Sequence, residues 1–253
     1  MNHDILLYEE LSMNALPALR TQLCDGWALR FADGYTYRAN SVNPIYAGSL
    51  GLSFEEKAEF CERLYAGAGL PAVYKLTEAS PAGLDGYLAE RGYEILHSSY
   101  IFTKALLPGG SHGEGVSGAK LVMSDKIYIS WLEDMFKLEE ISDGKTAATA
   151  AAMLRNINNS VLCARIMENG KAAACGMCVI ERGYAGLYFV AVDAEHRRRG
   201  FGHDICQALL NGAAKAGAKG AYLQVSADNA PAMALYEKLG FGLCYRYWYR
   251  VKL

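Results

Sequence analysis

A chain of 253 residues, 52% of them hydrophobic, is long for one compact domain and comfortable for two small ones, and its composition leaves no case for disorder. The formal net charge of −2 sets up no global basic field, which argues against nucleic acid as a partner. No apolar stretch approaches the roughly 18–20 residues that span a bilayer. Residues 1–20 also lack a basic segment followed by an apolar one, so neither a membrane span nor a signal peptide is expected.

Seven cysteines, an odd number, stand mostly inside apolar runs. With no secretion signal, that favours a reducing, cytoplasmic location. Cys175-Gly-Met-Cys178 is a C-x-x-C, but on a strand residues three apart face opposite sides, and no second cysteine pair stands at zinc-like spacing. The histidines His3, His97 and His112 form no cluster either, so no metal is expected.

In chain order, the first half offers a helix over 54–67, a strand over 72–76, and a segment at 81–93 that ends in Gly92-Tyr93 before a strand-like run. Residues 106–118, rich in Gly, Ser, Pro and His, have the composition of a linker. The second half then opens with apolar Ile127, Trp131, Met135 and Phe136 at near-helical spacing. A second helix is expected over 143–156, rich in good helix formers and capped by Asp143. Strands at 160–168 and 172–181 flank Asn169-Gly170, a strong hairpin signal. A third strand over 184–192, a helix over 201–216, a strand over 220–225, a helix over 230–239 and a last strand over 242–252 follow. This order gives an α/β layered domain. Residues 81–93 can be laid on 229–241 so that Gly92 meets Gly240 and Tyr93 meets Phe241, which makes the first half read as a worn copy of the second.

The sharpest chemical signal follows the strand at 184–192: Arg197-Arg198-Arg199-Gly200-Phe201-Gly202 opens a helix. A helix N-terminus leaves backbone N–H groups unpaired and carries partial positive charge. Gly200 and Gly202 remove side chains, so an anion such as a pyrophosphate can approach those amides. The three arginines add fixed positive charge. A glycine pair alone would be a tight turn and three arginines alone a solvated face; together, directly after a buried strand, they point to a ligand. The pattern is neither G-x-G-x-x-G nor a P-loop.

At these residues the sequence resembles the GNAT superfamily of acyl-CoA N-acyltransferases. Its R/Q-x-x-G-x-G/A motif is matched by Arg197-x-x-Gly200-x-Gly202, and its downstream motif by Asn229, Tyr236 seven residues on, then Gly240-Phe241. The resemblance is strong over 121–253 and weak before it. It implies a GNAT fold, a mixed sheet flanked by helices, as a tandem of a degenerate unit (1–105) and a catalytic unit (119–253) joined by the linker. It implies acetyl-CoA as cosubstrate, with the backbone of Val190, Ala191 and Val192 pairing with the pantetheine arm. Amides from Arg198 through Phe201 and Gly202 to His203 would hold the pyrophosphate beside Arg197 and Arg199, and Asn229 would touch the arm. Tyr236 would protonate the departing thiolate.

The partner of the reaction is an amine, a small molecule in preference to a protein, and the protein is expected as a monomer or homodimer. The sequence departs from the family at Gly186: several members carry a Glu there, and the strand over 185–192 holds no carboxylate. The general base stays open, and a non-catalytic acyl-CoA-binding module or a protein acetyltransferase stand as alternatives.

Overall fold

The computed structural model describes residues 2–110 and 117–252, so His112 and the middle of the linker lie outside the described residues. The elements form an α/β fold of mixed sheet and flanking helices. They fall into two compact units. One holds residues 1–100 with 245–253, the other 101–244.

In the first unit, α1 (Asn2–Ala15) precedes β1 (Arg20–Cys24), β2 (Trp27–Phe31) and β3 (Val42–Asn43). Then come α2 (Phe54–Gly67), β4 (Val73–Thr77), α3 (Leu84–Glu90) and the start of β5 (Glu94–Ala105). β1, β2 and β3 run antiparallel in turn, and β3 pairs parallel with β4. Trp27, Leu29, Tyr65, Tyr74 and Leu84 form its buried core. Two buried cations are held by named partners. Arg30 Nη1 donates to Arg38 O at 2.5 Å and Nη2 to Met13 O at 3.1 Å, and Lys75 Nζ donates to Glu9 Oε1 at 2.8 Å.

The second unit starts at the end of β5 and continues through β6 (Leu121–Ser124), α4 (Ile129–Leu138) and α5 (Gly144–Arg155) to β7 (Ser160–Glu168), β8 (Lys171–Glu181) and β9 (Tyr184–Val192). After them come α6 (Phe201–Lys215), β10 (Gly220–Ser226), α7 (Ala230–Lys238) and the first residues of β11 (Gly242–Val251). β6 to β9 are antiparallel neighbours, and β9 pairs parallel with β10. Asp143 caps α5 by accepting from Thr146 N at 2.7 Å. Asn169 and Gly170 turn the β7–β8 hairpin at φ of 51° and 79°. Cys175 and Cys178 are both buried free thiols, pushed up to about 12 by burial.

Along the chain, β1 to β5 and β7 to β11 thus repeat one order: three antiparallel strands, a helix, a strand parallel to the third, a helix and a strand. The ends of α3 and α7 match in detail. Tyr93 N donates to Leu88 O at 3.0 Å and Phe241 N to Tyr236 O at 3.0 Å, each beyond a glycine at φ of 84° or 83°. Left-handed glycines of this kind end helices because no Cβ opposes the turn. The expected halves met in the linker, whereas the last strand of the chain lies in the first unit. Tyr247 to Val251 pair antiparallel with Thr77 to Val73, which buries Tyr245, Tyr247, Tyr249 and Val251.

Candidate active site

The site begins with an irregularity in β9. Between the pairs Cys175↔Ala191 and Met177↔Tyr188 the β8 side advances two residues and the β9 side three. The extra residue makes a β-bulge, and Phe189 takes φ of 53° within it. A non-glycine residue there costs on the order of 1–3 kcal/mol and persists only where its surroundings hold it. Here Trp131 of α4 packs edge-on against the Phe189 ring at 6.4 Å, and Cys175 Sγ lies 3.5 Å from Phe189 O. On the other face Gly176 lets α6 close in, since a Cβ there would stand 2.4 Å from Ile205 Cγ2.

The bulge bends β9, as bulges do. Parallel pairing of β9 with β10 runs from Tyr184↔Gly220 to Leu187↔Leu223 and then stops, although β9 reaches Val192 and β10 reaches Ser226. The two strands therefore diverge past Leu187, and Val190, Ala191 and Val192 border the gap with their backbone.

The N-terminus of α6 stands at the mouth of this gap. Arg198 at φ of 64° and Gly200 at φ of 85° put two left-handed residues just before the helix, and no side chain caps it. Alternating hands of this sort turn successive amides inward, a concavity suited to an anion. Gly202 sits so close to its neighbours that a Cβ would meet Leu235 Cδ2 at 3.3 Å and Val192 Cγ2 at 3.5 Å. β9, α6 and α7 thus converge on one point.

The loop is fixed from beneath. Glu168, at the end of β7, takes both Nη1 and Nη2 of Arg199 at 2.8 and 2.6 Å and lies 2.7 Å from His196 Nε2. His196 Nδ1 lies 2.9 Å from Asp193 Oδ1. The Phe201 ring stacks on His196 and carries the Arg199 guanidinium 4.8 Å from its centre. Asp193 and then Glu168 raise the His196 imidazole above its usual value, and Arg199 and then His196 hold the Glu168 carboxyl below its own. Arg197 and Arg198 are exposed.

A family model described as "Acetyltransferase (GNAT) family" matches residues 126–241. Residues 126–241 are those of a GNAT acetyltransferase domain. Over 98% of its length the chain is 28% identical to the uncharacterized N-acetyltransferase YobR of Bacillus subtilis, covering 99% of that protein. Over 77 residues, 30% of this chain and 52% of the relative, it is 38% identical to a ribosomal protein bS18-alanine N-acetyltransferase of Escherichia coli. Its fold is that of a GCN5-related N-acetyltransferase from Kribbella flavida (TM-score 0.67, 16% identity, 98% of this chain and 95% of that one). It is also that of a tandem GNAT protein from the clavulanic acid biosynthesis pathway (TM-score 0.69, 15% identity, 96% and 86%).

Of the residues picked from sequence, Val192 and Gly202 are brought together, a Cβ on Gly202 falling 3.5 Å from Val192 Cγ2. Val190 to Val192 border the gap, Arg197 to Gly202 form its mouth, and His203 follows in the first turn of α6. Arg199 differs in its surroundings from Arg197 and Arg198, because its guanidinium is already bound by Glu168. Asn229 caps α7, its Oδ1 accepting from Ala232 N at 3.1 Å. Tyr236 is two turns further along α7, buried, with its ring edge-on to Phe241 at 6.1 Å.

Three features escaped sequence reading: the bulge at Phe189, the Glu168 anchor and the filling of Gly186. A Cβ on Gly186 would stand 2.5 Å from the Tyr222 Cζ and Oη atoms and 2.8 Å from Tyr188 Cε2. The Tyr188 hydroxyl donates to that of Tyr222 at 3.2 Å. A pair of buried tyrosines therefore fills the space beside Gly186, where the family resemblance led a carboxylate to be looked for. The only hint in the sequence is tyrosine at both positions beside a glycine.

Proposed function

We propose that the domain moves an acetyl group from acetyl-CoA directly to the primary amine of a small molecule. The observation that carries this reading is the gap between β9 and β10 with the uncapped N-terminus of α6 at its mouth. Divergent strands offer unpaired backbone groups to an amide-bearing arm. The turn at Arg198-Arg199-Gly200 offers N–H groups to a pyrophosphate, and hydrogen bonds to a charged group are worth about 1.5–3 kcal/mol each. Arg197 and Arg198 add charge at the same mouth, and Asn229 keeps its amide N–H groups for the arm while its Oδ1 caps α7.

In this reading the amine lone pair attacks the thioester carbonyl, and the C–N bond forms as the oxyanion develops against backbone N–H near the bulge. Collapse breaks the C–S bond. The Tyr236 hydroxyl delivers its proton to the sulfur, and the proton lost from nitrogen returns to the phenolate through solvent. A phenol near pKa 10 serves a thiolate near 8.5 only when held in place; burial against Phe241 holds the ring.

The partial likeness to a ribosomal protein alanine acetyltransferase favours a second reading, an acceptor at a protein N-terminus. Release of CoA thiol with acetyl-CoA and a panel of small amines, beside peptides beginning with alanine, separates the two. Turnover with amines and none with peptides supports the first. Binding of CoA without turnover on any acceptor would overturn both.

A further inference from the structure

The first unit contains the counterpart of the loop just described. Its β1–β2 hairpin turns through Asp25-Gly26 at φ of 38° and 85°, as the β7–β8 hairpin turns through Asn169-Gly170. Its third strand leads through residues 44–53 into α2, which opens on Phe54 as α6 opens on Phe201. The two caps are Ser53 and Gly200, so Glu55 falls where the second unit has Gly202, and buried Lys57 falls on buried Asp204. No Lys or Arg lies between residues 44 and 54.

Here the amides are already taken. Asp25 Oδ1 accepts from Ser49 N at 2.7 Å and from Leu50 N at 2.9 Å. Its Oδ2 pairs with Lys57 Nζ at 2.9 Å, and both side chains are almost wholly buried. The loop is shaped round this carboxylate: a Cβ on Gly48 would stand 2.4 Å from Asp25 Oδ2 and 2.6 Å from Lys57 Nζ. The Leu50 amide and then Lys57 hold the Asp25 carboxyl down to about 2. The first turn of α2 is closed in the same way. Glu56 Oε2 accepts from Ser53 N at 2.8 Å, while Ser53 Oγ accepts from Glu56 N at 3.2 Å, a closed capping box. A cavity of about 310 Å³ beside the loop has Asp25 and Lys57 as its charged lining, and these two are bound to each other.

We infer that this loop is an anion seat kept filled by the chain's own Asp25 carboxylate, so that the first unit accepts no phosphate ester and the protein takes up one acyl-CoA per chain. This rests on reading the mouth of α6 as the acyl-CoA phosphate site. Three donors meet on Asp25: two backbone amides and an ammonium. That is the set a bound carboxylate or phosphate would need, and it is satisfied from within. The second unit shows the other solution. There the hairpin carboxylate, Glu168, binds the side chains of Arg199 and His196, the Glu195 and His196 amides are held by Asp193, and on the reading above the amides from Arg198 onward are the ones a ligand takes.

Calorimetric titration of the intact protein with CoA is expected to give one site, weakened at least about tenfold by Gly202→Val and, as a milder check on folding, by the double change Arg197→Ala with Arg198→Ala. Asp25→Ala would leave Lys57 and two amides facing a carboxylate-sized hole. Its melting temperature should fall, and it should recover with added formate or inorganic phosphate beyond any change in wild type at equal ionic strength. If the variant does not fold alone, refolding in formate against chloride reads the same effect. Two CoA sites in wild type, or one site untouched by every change at the α6 mouth, would overturn the inference, as would an Asp25→Ala protein indifferent to anions. Absence of all CoA binding would instead overturn the acetyl-CoA reading and leave the anion rescue to decide this one.

Discussion

Substitution of Gly202 in two steps tests the phosphate seat with magnitudes fixed by the structure. An alanine Cβ would lie 3.3 Å from Leu235 Cδ2 and 3.5 Å from Val192 Cγ2. The first contact is tight, but its partner is the end of a flexible side chain. Replacing glycine by alanine inside a helix gains about 0.8–1.0 kcal/mol, so Gly202→Ala should leave the melting temperature near that of wild type. Valine adds two methyl groups at a point where β9, α6 and α7 already meet. Overpacking of this kind costs about 1–3 kcal/mol, and a β-branched residue loses part of the helix gain. Gly202→Val should therefore melt lower yet stay folded by circular dichroism. On the proposed reading the same methyl groups crowd the phosphates' approach to the first turn of α6. CoA affinity should fall by at least about tenfold, or 1.4 kcal/mol, from wild type to valine, with alanine between. Calorimetric titration with CoA gives the three constants. A folded valine variant that binds CoA as tightly as wild type would refute the placement of the phosphates.

Tyr236→Phe keeps the ring packed on Phe241 and removes only the hydroxyl, so kcat and kcat/KM should drop together by roughly 10²–10⁴, with CoA affinity nearly unchanged; full kcat would return Tyr236 to a packing role. Gly186→Ala drives a methyl into the Tyr188–Tyr222 pair and should destabilise by about 1–3 kcal/mol in urea. Tyr222→Leu should relieve part of that loss, and additive effects of the two changes would deny that they share one space. Since the folded pKa of His196 is raised, its contribution is fully present below about pH 6.5 and is lost as pH rises through the folded value. The melting temperature of wild type relative to His196→Gln should shrink over that rise, and a constant difference would detach His196 from its two carboxylates.

Much of the second unit was legible because its signals are local. Strand alternation, the Asn169-Gly170 turn and the Asp143 cap each act within a few residues, and the glycine-bearing turn before α6 lies in one run of sequence. The alignment of 81–93 on 229–241 survives in the hydrogen bonds of Tyr93 and Phe241 because a helix stop is also a local device. Residues 20–50 gave little. β1 is an exposed edge, β2 is buried at every position including Arg30, and β3 has only two residues, so no period of two marks them. Glu168 and Asp25 do their work across 31 and 24–25 positions, beyond the reach of any spacing rule. The bulge at Phe189 has no glycine to announce it and depends on Trp131 and the close approach of α6.

The place of the last strand decides how the protein can be dissected. By sequence alone a fragment of residues 119–253 looks like a whole domain. In the structure that cut removes parts of the second unit and keeps a part of the first. Among the losses are the bond from Lys104 Nζ to Leu239 O at 2.5 Å, just before the Gly240 stop of α7. Leu106 N to Lys219 O at 3.0 Å and Gly109 N to Ala214 O at 2.7 Å, which tie the end of α6 and the start of β10, go as well. The retained tail carries Tyr245, Tyr247, Tyr249 and Val251, whose burial is supplied by β4 and its neighbours. A strand stripped of its partner offers open backbone groups and apolar side chains, a ready template for aggregation. The 119–253 fragment should therefore be poorly soluble and, where soluble, show no cooperative melt. A fragment of residues 101–244 restores the three bonds and drops the orphaned strand, so it should behave better despite having almost the same length. Equal, cooperative melting of both fragments would show that the second unit does not need residues 101–110, and would move its boundary back into the linker.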